Sequence, residues 1–326
     1  MLKTRITKML GIEHPIIGGT MMDLSLAPFV AAISNAGALG IIASAVFKET
    51  GKLRDEIKKT KDLTDRPFAV NINLFPMLAP PDNAAFVEVL AKEGVKIVET
   101  SGFSAPADLV GLFKQHGMTW IHKCVGVRYA KKVAAMGADA VTVVGYENGG
   151  ATGTLNVTTL VLVPSTVDAV DIPVIGGGGV MDGRGLHAVL SLGAEAAIVG
   201  SRFMLAEECP IHPNLKRALC EATELDTDII MRTIGFPHRA WLNEAAKKSL
   251  EVEAKGGGLE EIYPFVSGES ARKMYETGDL EVGTVSCSQA IGLARCVMPA
   301  KEIVREMIAQ AEAVHARVGN MTVGPA

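Results

Sequence analysis

The sequence predicts a (β/α)8 TIM barrel, built from residues 1–206 plus 284–326, with a small helical insertion domain, 207–283, after strand eight. Three observations carry this reading. Short apolar, β-branched runs alternate with amphipathic helical patterns from the start of the chain, which signals βα units and a mainly parallel sheet. Eight such runs precede residue 207, and closure into a cylinder is the simplest way to use them. The stretch Pro173 to Phe203 (PVIGGGGVMDGRGLHAVLSLGAEAAIVGSRF) holds two strands that both end in glycine, one helix apart.

The elements follow in order. Strand one, Pro15 to Ile17, runs into Gly18-Gly19-Thr20-Met21-Met22; a helix over Ser25 to Ala36 follows, with Gly37 placed to cap it. Strand two is Leu39 to Ser44, and a charged helix, Lys48 to Lys61, leads to strand three, Phe68 to Leu74. In that strand Asn71 and Asn73 share a face, because side chains alternate; polar groups inside a barrel need a reason. Helix Asn83 to Glu93 precedes strand four, Lys96 to Thr100. Helix Ala107 to His116 precedes strand five, Thr119 to Val125, which carries His122-Lys123-Cys124 near its C-terminal end. Helix Arg128 to Met136, with Gly137 as cap, leads to strand six, Ala140 to Val144, and then to the loop GYENGGATG. A helix around Thr158 to Val170 returns the chain to strand seven (Pro173 to Ile175), helix Gly183 to Leu192 and strand eight (Ala196 to Val199). Beyond Glu207 the pattern changes to helices, Asn214 to Ala222, Asp226 to Thr233, Ala240 to Glu253 and one around Ser270 to Glu276, with no alternating strand. The last helix, Ala300 to Val318, is expected to pack back on the barrel.

Composition narrows the class. The chain is 48% hydrophobic and 21% charged, with a formal charge of −4, as in a globular protein with a large core and no basic cluster. Nucleic acid and membrane are not expected as partners; a small-molecule substrate is, with a homodimer left open. MLKTRITKMLGIEHP lacks the apolar core of a signal peptide, and a cytoplasmic protein is expected. The five cysteines fit no zinc or CxxC spacing, so reduced thiols and no metal site are expected.

Glycine at a strand end lets the backbone turn sharply and bring its N–H groups close to an anion. Two neighbouring loops of that kind, Gly176 to Gly179 and Gly200-Ser201, make a phosphate cradle beyond the last two strands of a barrel, the place where such sites occur. The ligands that suit such a cradle include flavin mononucleotide (FMN), sugar phosphates, pyridoxal phosphate and purine nucleotides. The other strand ends tilt the choice to a flavin. Gly18, Gly19 and Met21 allow close backbone approach, Asn71 and Asn73 offer amides to a pyrimidine edge, Gly149 and Gly150 open the loop after strand six, and Lys123 supplies a cation near N1 and O2.

These residues, with HPIIGG (His14 to Gly19), LTDRPFAVN (Leu63 to Asn71), WIHKC (Trp120 to Cys124), DGRGL (Asp182 to Leu186), GSRF (Gly200 to Phe203), ECPIHP (Glu208 to Pro213), TDIIMRT (Thr227 to Thr233) and FVSG (Phe265 to Gly268), carry a resemblance over nearly the whole chain. The sequence resembles the nitronate monooxygenase (2-nitropropane dioxygenase) family and is most similar to its NADH:quinone reductase branch, with flavin-type enoyl reductases as relatives. The resemblance implies non-covalent FMN in a barrel capped by a helical lid, contacted by Gly18, Gly19, Met21, Asn71, Asn73, Lys123, Gly149, Gly150, Gly176, Gly177, Gly178, Gly200 and Ser201, and NAD(P)H as a transient electron donor.

One departure matters. The family motif after strand six contains a histidine that serves as base or polar contact, and Ala151 stands in its place here, so proton abstraction from a neutral nitroalkane loses its obvious base. Hydride transfer from NAD(P)H depends on alignment and distance, not on that base. The expected activity is therefore FMN-dependent reduction of a quinone or conjugated carbonyl, with oxidation of alkyl nitronates by O2 or a flavin-type enoyl reduction as alternatives. The catalytic candidates are Lys123, Tyr146 and Asn148, with Thr152 and His238 as further proton donors by location. A purine nucleotide dehydrogenase would need a nucleophilic cysteine in GYENGGATGTLN, which has none; a flavin carrier would show no bleaching by nicotinamide.

Overall fold

The computed structural model describes residues 2–75, 80–102 and 104–321. Eight of its strands are β1 (Ile16–Gly18), β2 (Gly40–Ala43), β3 (Phe68–Asn73), β4 (Ile97–Ser101), β5 (Thr119–Cys124), β6 (Ala140–Val144), β8 (Val174–Gly177) and β9 (Ala196–Val199); between them lies β7 (Gly150–Ala151). The eight pair in the order β1-β9-β8-β6-β5-β4-β3-β2, all parallel. A parallel bridge from Ile17 to Leu39 joins β1 to β2 and closes the cylinder. The Gly18 N–H donates to the Leu39 carbonyl there at 2.8 Å. This is a (β/α)8 TIM barrel, as the alternation predicts.

One end of the cylinder is sealed. The helix Arg5–Leu10, whose Thr4 N-cap accepts from the Thr7 N–H, places Ile6 and Leu10 in one apolar cluster with Ile17, Leu39, Ile41, Ile97, Ile121, Ile175 and Ile198. The strands' C-terminal ends are left as the working face, and the larger core fills the layer between barrel and helices. The C-terminal helix, Ala300–Gly319, packs on the helix Gly183–Ser191. Glycine is required at 183, where a Cβ would stand 2.2 Å from the Met307 carbonyl oxygen.

Beyond β9 the chain departs from expectation. Asp226 to Thr233 is not a helix: β10 (Thr227–Ile230) and β11 (His238–Trp241) form an antiparallel pair, and β11 pairs in turn with β7. The region read as one helix from Ala240 to Glu253 is strand to Trp241, then helix Glu244–Ala254, which starts where the Asn243 side chain accepts the Ala246 N–H. The physical reason is the partner. Four-residue segments of mixed polarity such as TDII and HRAW are ambiguous between helix and strand, and the edge that selects strand here, Gly150–Ala151, lies far away in sequence. A further helix, Leu259–Val266, precedes Gly268–Thr277.

Candidate active site

The cradle stands at the open end. The amides of Gly178, Gly179, Gly200 and Ser201 donate to no protein acceptor among the described residues. A Cβ at Gly200 would meet nothing within 4 Å, whereas one at Gly19 would lie 3.1 Å from the Gly200 Cα, so β1 and β9 end side by side with room only for backbone on the Gly19 side. Gly178, at φ +97°, is held to glycine on two counts, since a Cβ would also lie 2.6 Å from the Thr159 hydroxyl. A cavity of about 350 Å³ adjoins, lined by Gly178, Gly179, Val180, Glu147, Gln289 and Ala290 among others. The remaining candidate glycines serve the wall: Gly18, Gly176 and Gly177 would drive a Cβ into Ile33, Val163 and Ile198 respectively. The Ser201 hydroxyl accepts from the Ser288 N–H at 2.8 Å.

A second cluster lies on β3, β4 and β5. Glu99, 1% exposed, gathers three donors on one oxygen, Oε2: the Asn71 amide at 2.6 Å, the Thr20 hydroxyl at 2.7 Å and the Lys123 ammonium at 3.3 Å. Register explains the meeting, because Asn71 sits opposite Glu99 and Ser101 opposite Lys123. Asn71 spends its second amide hydrogen on the Ser101 hydroxyl at 3.1 Å, which leaves its carbonyl oxygen as the atom able to receive a ligand's N–H. Asn73 ends β3, where its side-chain oxygen accepts the Phe75 N–H. Met21, half-buried, packs on the core, and its N–H donates to the Ser25 hydroxyl.

His122 points to the other face, as alternation requires. Its Nδ1 is 2.8 Å from the Thr100 hydroxyl, which itself accepts from the Trp120 indole N–H at 2.7 Å. The Thr100 hydroxyl thus ties the His122 ring to the Trp120 indole. Burial pushes the His122 pKa down to about 4.

The loop after β6 holds the remaining candidates. The Tyr146 hydroxyl accepts from Arg232 at 2.7 Å, its carbonyl accepts from Arg239, and the Arg239 guanidinium lies 4.9 Å from the ring centre. Both Arg232 and Arg239 are thus engaged with Tyr146. Asn148 donates to the carbonyls of Gly149 and Ala151, while its own side-chain oxygen is buried without a partner. Gly149 lies against the backbone of Cys287 and Ser288, and Gly150 pairs with Arg239. Thr152 is buried on the Pro237 carbonyl.

One group escaped sequence reading. Glu99 was hidden in an apolar run, although the alternation of FAVNIN beside IVETS puts its polar positions on the face of Asn71 and Asn73. His238, a candidate proton donor by location, lies directly opposite Ala151 across the β7–β11 pair. Its Nε2 is 2.8 Å from the Ser286 hydroxyl, and burial pushes its pKa down to about 4.

Residues 3–310 match the family model of nitronate monooxygenase. A (3aS,4S,5R,7aS)-5-hydroxy-7a-methyl-1-oxo-octahydro-1H-indene-4-carboxyl-CoA dehydrogenase of Rhodococcus jostii is 39% identical over 258 residues, 79% of this chain and 70% of that protein. FabK from Thermotoga maritima superposes with a TM-score of 0.91 at 34% identity, over 99% of this chain and 100% of FabK. A nitroalkane oxidase from Streptomyces ansochromogenes gives 0.83 at 25% identity, over 96% and 99% of the two chains. With a cradle of unpaired amides on its working face and this match along almost its whole length, the chain is an oxidoreductase that belongs to the nitronate monooxygenase family.

Proposed function

We propose that the chain is an FMN-dependent oxidoreductase that passes electrons from NAD(P)H to a quinone or conjugated carbonyl. The observation that carries the reading is the set of four unpaired amides at Gly178, Gly179, Gly200 and Ser201, where open space rather than side chain fills the Gly200 side. The residues present fit the group. The amides would hold the phosphate, the free Asn71 carbonyl oxygen would receive an imide N–H, and Lys123 would face the edge that becomes anionic. The orphaned Asn148 oxygen is a further acceptor that only a ligand or water can satisfy.

When bound, FMN supplies a carrier that takes a hydride from nicotinamide and gives it to the acceptor. The protein's part is to bind and orient. Glu99 holds Lys123 and Asn71 in place, and residues 207–283 serve as the lid under which the acceptor is held. A neutral nitroalkane is disfavoured because the alanine at 151 can accept no proton and the imidazole of His238 opposite it, its pKa pushed down to about 4 by burial, is a weak base. A hydroxy acyl-CoA thioester, oxidised as electron donor rather than reduced, is a second substrate class, supported by the name of the Rhodococcus jostii dehydrogenase.

The test is an anaerobic spectrum of the protein reconstituted with FMN, titrated with NADH and NADPH and then with menadione and 2-cyclohexenone. Bleaching by a nicotinamide and recovery with the acceptors are expected. Protein that stays colourless after reconstitution ends the reading.

A further inference from the structure

Position 151 and position 238 face each other on adjacent strands. In an antiparallel pair, side chains of opposed residues stand on the same side of the sheet, about 5 Å apart at Cβ. The methyl of Ala151 and the imidazole of His238 therefore share a face, and a Cβ built on Gly150 would lie 3.8 Å from His238 Cε1 and 3.7 Å from the Ser286 hydroxyl. The next residue, Arg239, turns the other way onto Tyr146 and Thr227. Ser286 is fixed by its own strand-like segment, which bridges antiparallel to Ala240 and receives the Trp241 N–H at the Val285 carbonyl. His238 Nε2 is thus anchored, and its Nδ1 has no protein partner among the described residues.

We propose that His238, anchored by Ser286, is the proton-transfer residue of this site, delivering a proton to the oxygen of the bound acceptor. The proposal rests on the oxidoreductase reading above and deepens it, since it requires an acceptor in which negative charge develops on oxygen, as in a quinone, a conjugated carbonyl or a ketone. In the tautomer where the Ser286 hydroxyl donates to Nε2, the proton sits on Nδ1, the free nitrogen. The balance is then complete. A hydride, whose two electrons come from NAD(P)H, adds to carbon, and the π pair moves onto oxygen. That oxygen takes the Nδ1 proton, Nε2 takes the Ser286 proton, and Ser286 takes one from water.

A neutral imidazole suits this role, because it donates a hydrogen bond to a developing oxyanion without first having to lose charge. His238 is neutral over the physiological range by burial alone, with no charged side chain contributing: Arg239 faces Tyr146, and Ser286, Gly150 and Ala151 carry none. The imidazole's place on the partner strand explains how a chain with alanine at 151 keeps a proton relay at the same spot. Ser286 acts through His238 and is a positioning residue.

The experiment uses the full chain reconstituted with FMN and reduced photochemically, so that no nicotinamide step enters. Reoxidation by 2-cyclohexenone and by menadione is followed by anaerobic stopped flow in H2O and D2O. His238→Ala is expected to slow reoxidation by roughly 10²- to 10⁴-fold and to abolish its solvent isotope effect. His238→Asn, which keeps a donor at the Nδ1 position, is expected to retain more activity than His238→Ala. Adding Ala151→His to His238→Ala is expected to restore at least about tenfold of the loss, since it returns an imidazole from the opposite strand. Independently of turnover, ¹⁵N spectra of histidine-labelled protein should show His238 protonated on Nδ1.

Wild-type reoxidation rate and isotope effect in a folded His238→Ala protein overturn the proposal, as does an Nε2-protonated tautomer. Should His238→Ala not fold, the Asn variant, the tautomer and Ser286→Ala, expected to lower the rate and shift the tautomer together, decide it. A protein that binds FMN and is not bleached by either nicotinamide overturns the NAD(P)H reading while leaving these results to judge His238. Failure to bind FMN overturns both.

Discussion

Gly200→Val isolates the cradle from the fold. Gly200 has φ −104° and ψ −75°, where any residue can sit, and a Cβ there meets nothing within 4 Å, so folding stability should change by no more than about 1 kcal/mol. The isopropyl group would fill the space in front of the amides of Gly200 and Ser201, two of the four without a protein acceptor. Hydrogen bonds to a charged group contribute about 1.5–3 kcal/mol each, so two blocked amides amount to about 3–6 kcal/mol. At about 1.4 kcal/mol per tenfold, that weakens FMN binding by roughly 10²- to 10⁴-fold. Fluorescence titration with FMN and with riboflavin, which lacks the phosphate, separates this loss from general damage. The wild type should prefer FMN by at least this factor, and the variant's preference should shrink by it, leaving the part owed to the amides of Gly178 and Gly179. Unchanged discrimination in a variant with a normal melting curve would refute the assignment of the phosphate to these amides.

The remaining predictions concern charge and burial. Lys123→Met leaves Glu99 buried and unpaired and should cost about 3–5 kcal/mol in urea unfolding, whereas Glu99→Gln with Lys123→Met should cost less than the single change; a double variant as unstable as the sum of the singles argues against coupling. In the flavin-loaded protein, Glu99→Gln frees the Lys123 charge and should raise the two-electron potential by tens of millivolts, about 30 mV for each 1.4 kcal/mol, read by equilibrium with a reference dye. The His122 pKa is held near 4 against 6.5 unfolded, so below pH 6.5 the unfolded chain binds a proton that the folded one refuses. Stability should therefore be full above pH 6.5 and fall by up to about 3 kcal/mol toward pH 4 on this group's account, a slope that His122→Gln should flatten. Thiol labelling with Ellman's reagent at pH 8 should mark exposed Cys296 first, because burial pushes the Cys124, Cys209 and Cys287 thiols up to about 12.

Much of this molecule is legible in its residues, and the exceptions share a cause. The barrel strands are recognisable because each is a β-branched run between capped helices, and the two glycine tips fall where amides meet open space. The insertion strands β10 and β11 are not, because four residues of mixed polarity, TDII or HRAW, fit helix or strand equally until the Gly150–Ala151 edge is known. Not all glycines of one run do one job: Gly176 and Gly177 let helix and sheet side chains close in, while Gly178 and Gly179 turn the chain and expose its amides. Glu99 shows the limit of reading side chains singly. Its role follows from the oxygen it shares among Asn71, Thr20 and Lys123, and only strand register brings those four together.

The three-stranded sheet shared by barrel and insertion has an outcome for engineering. Since β7 belongs to the loop after β6 yet completes a sheet made by residues 227–241, the segment beyond β9 is not a detachable module. A chimaera that exchanges only 207–283 with a homologue would inherit a mismatched seam at Gly150–Ala151, so transplanted specificity should require the hairpin's docking edge to travel with it.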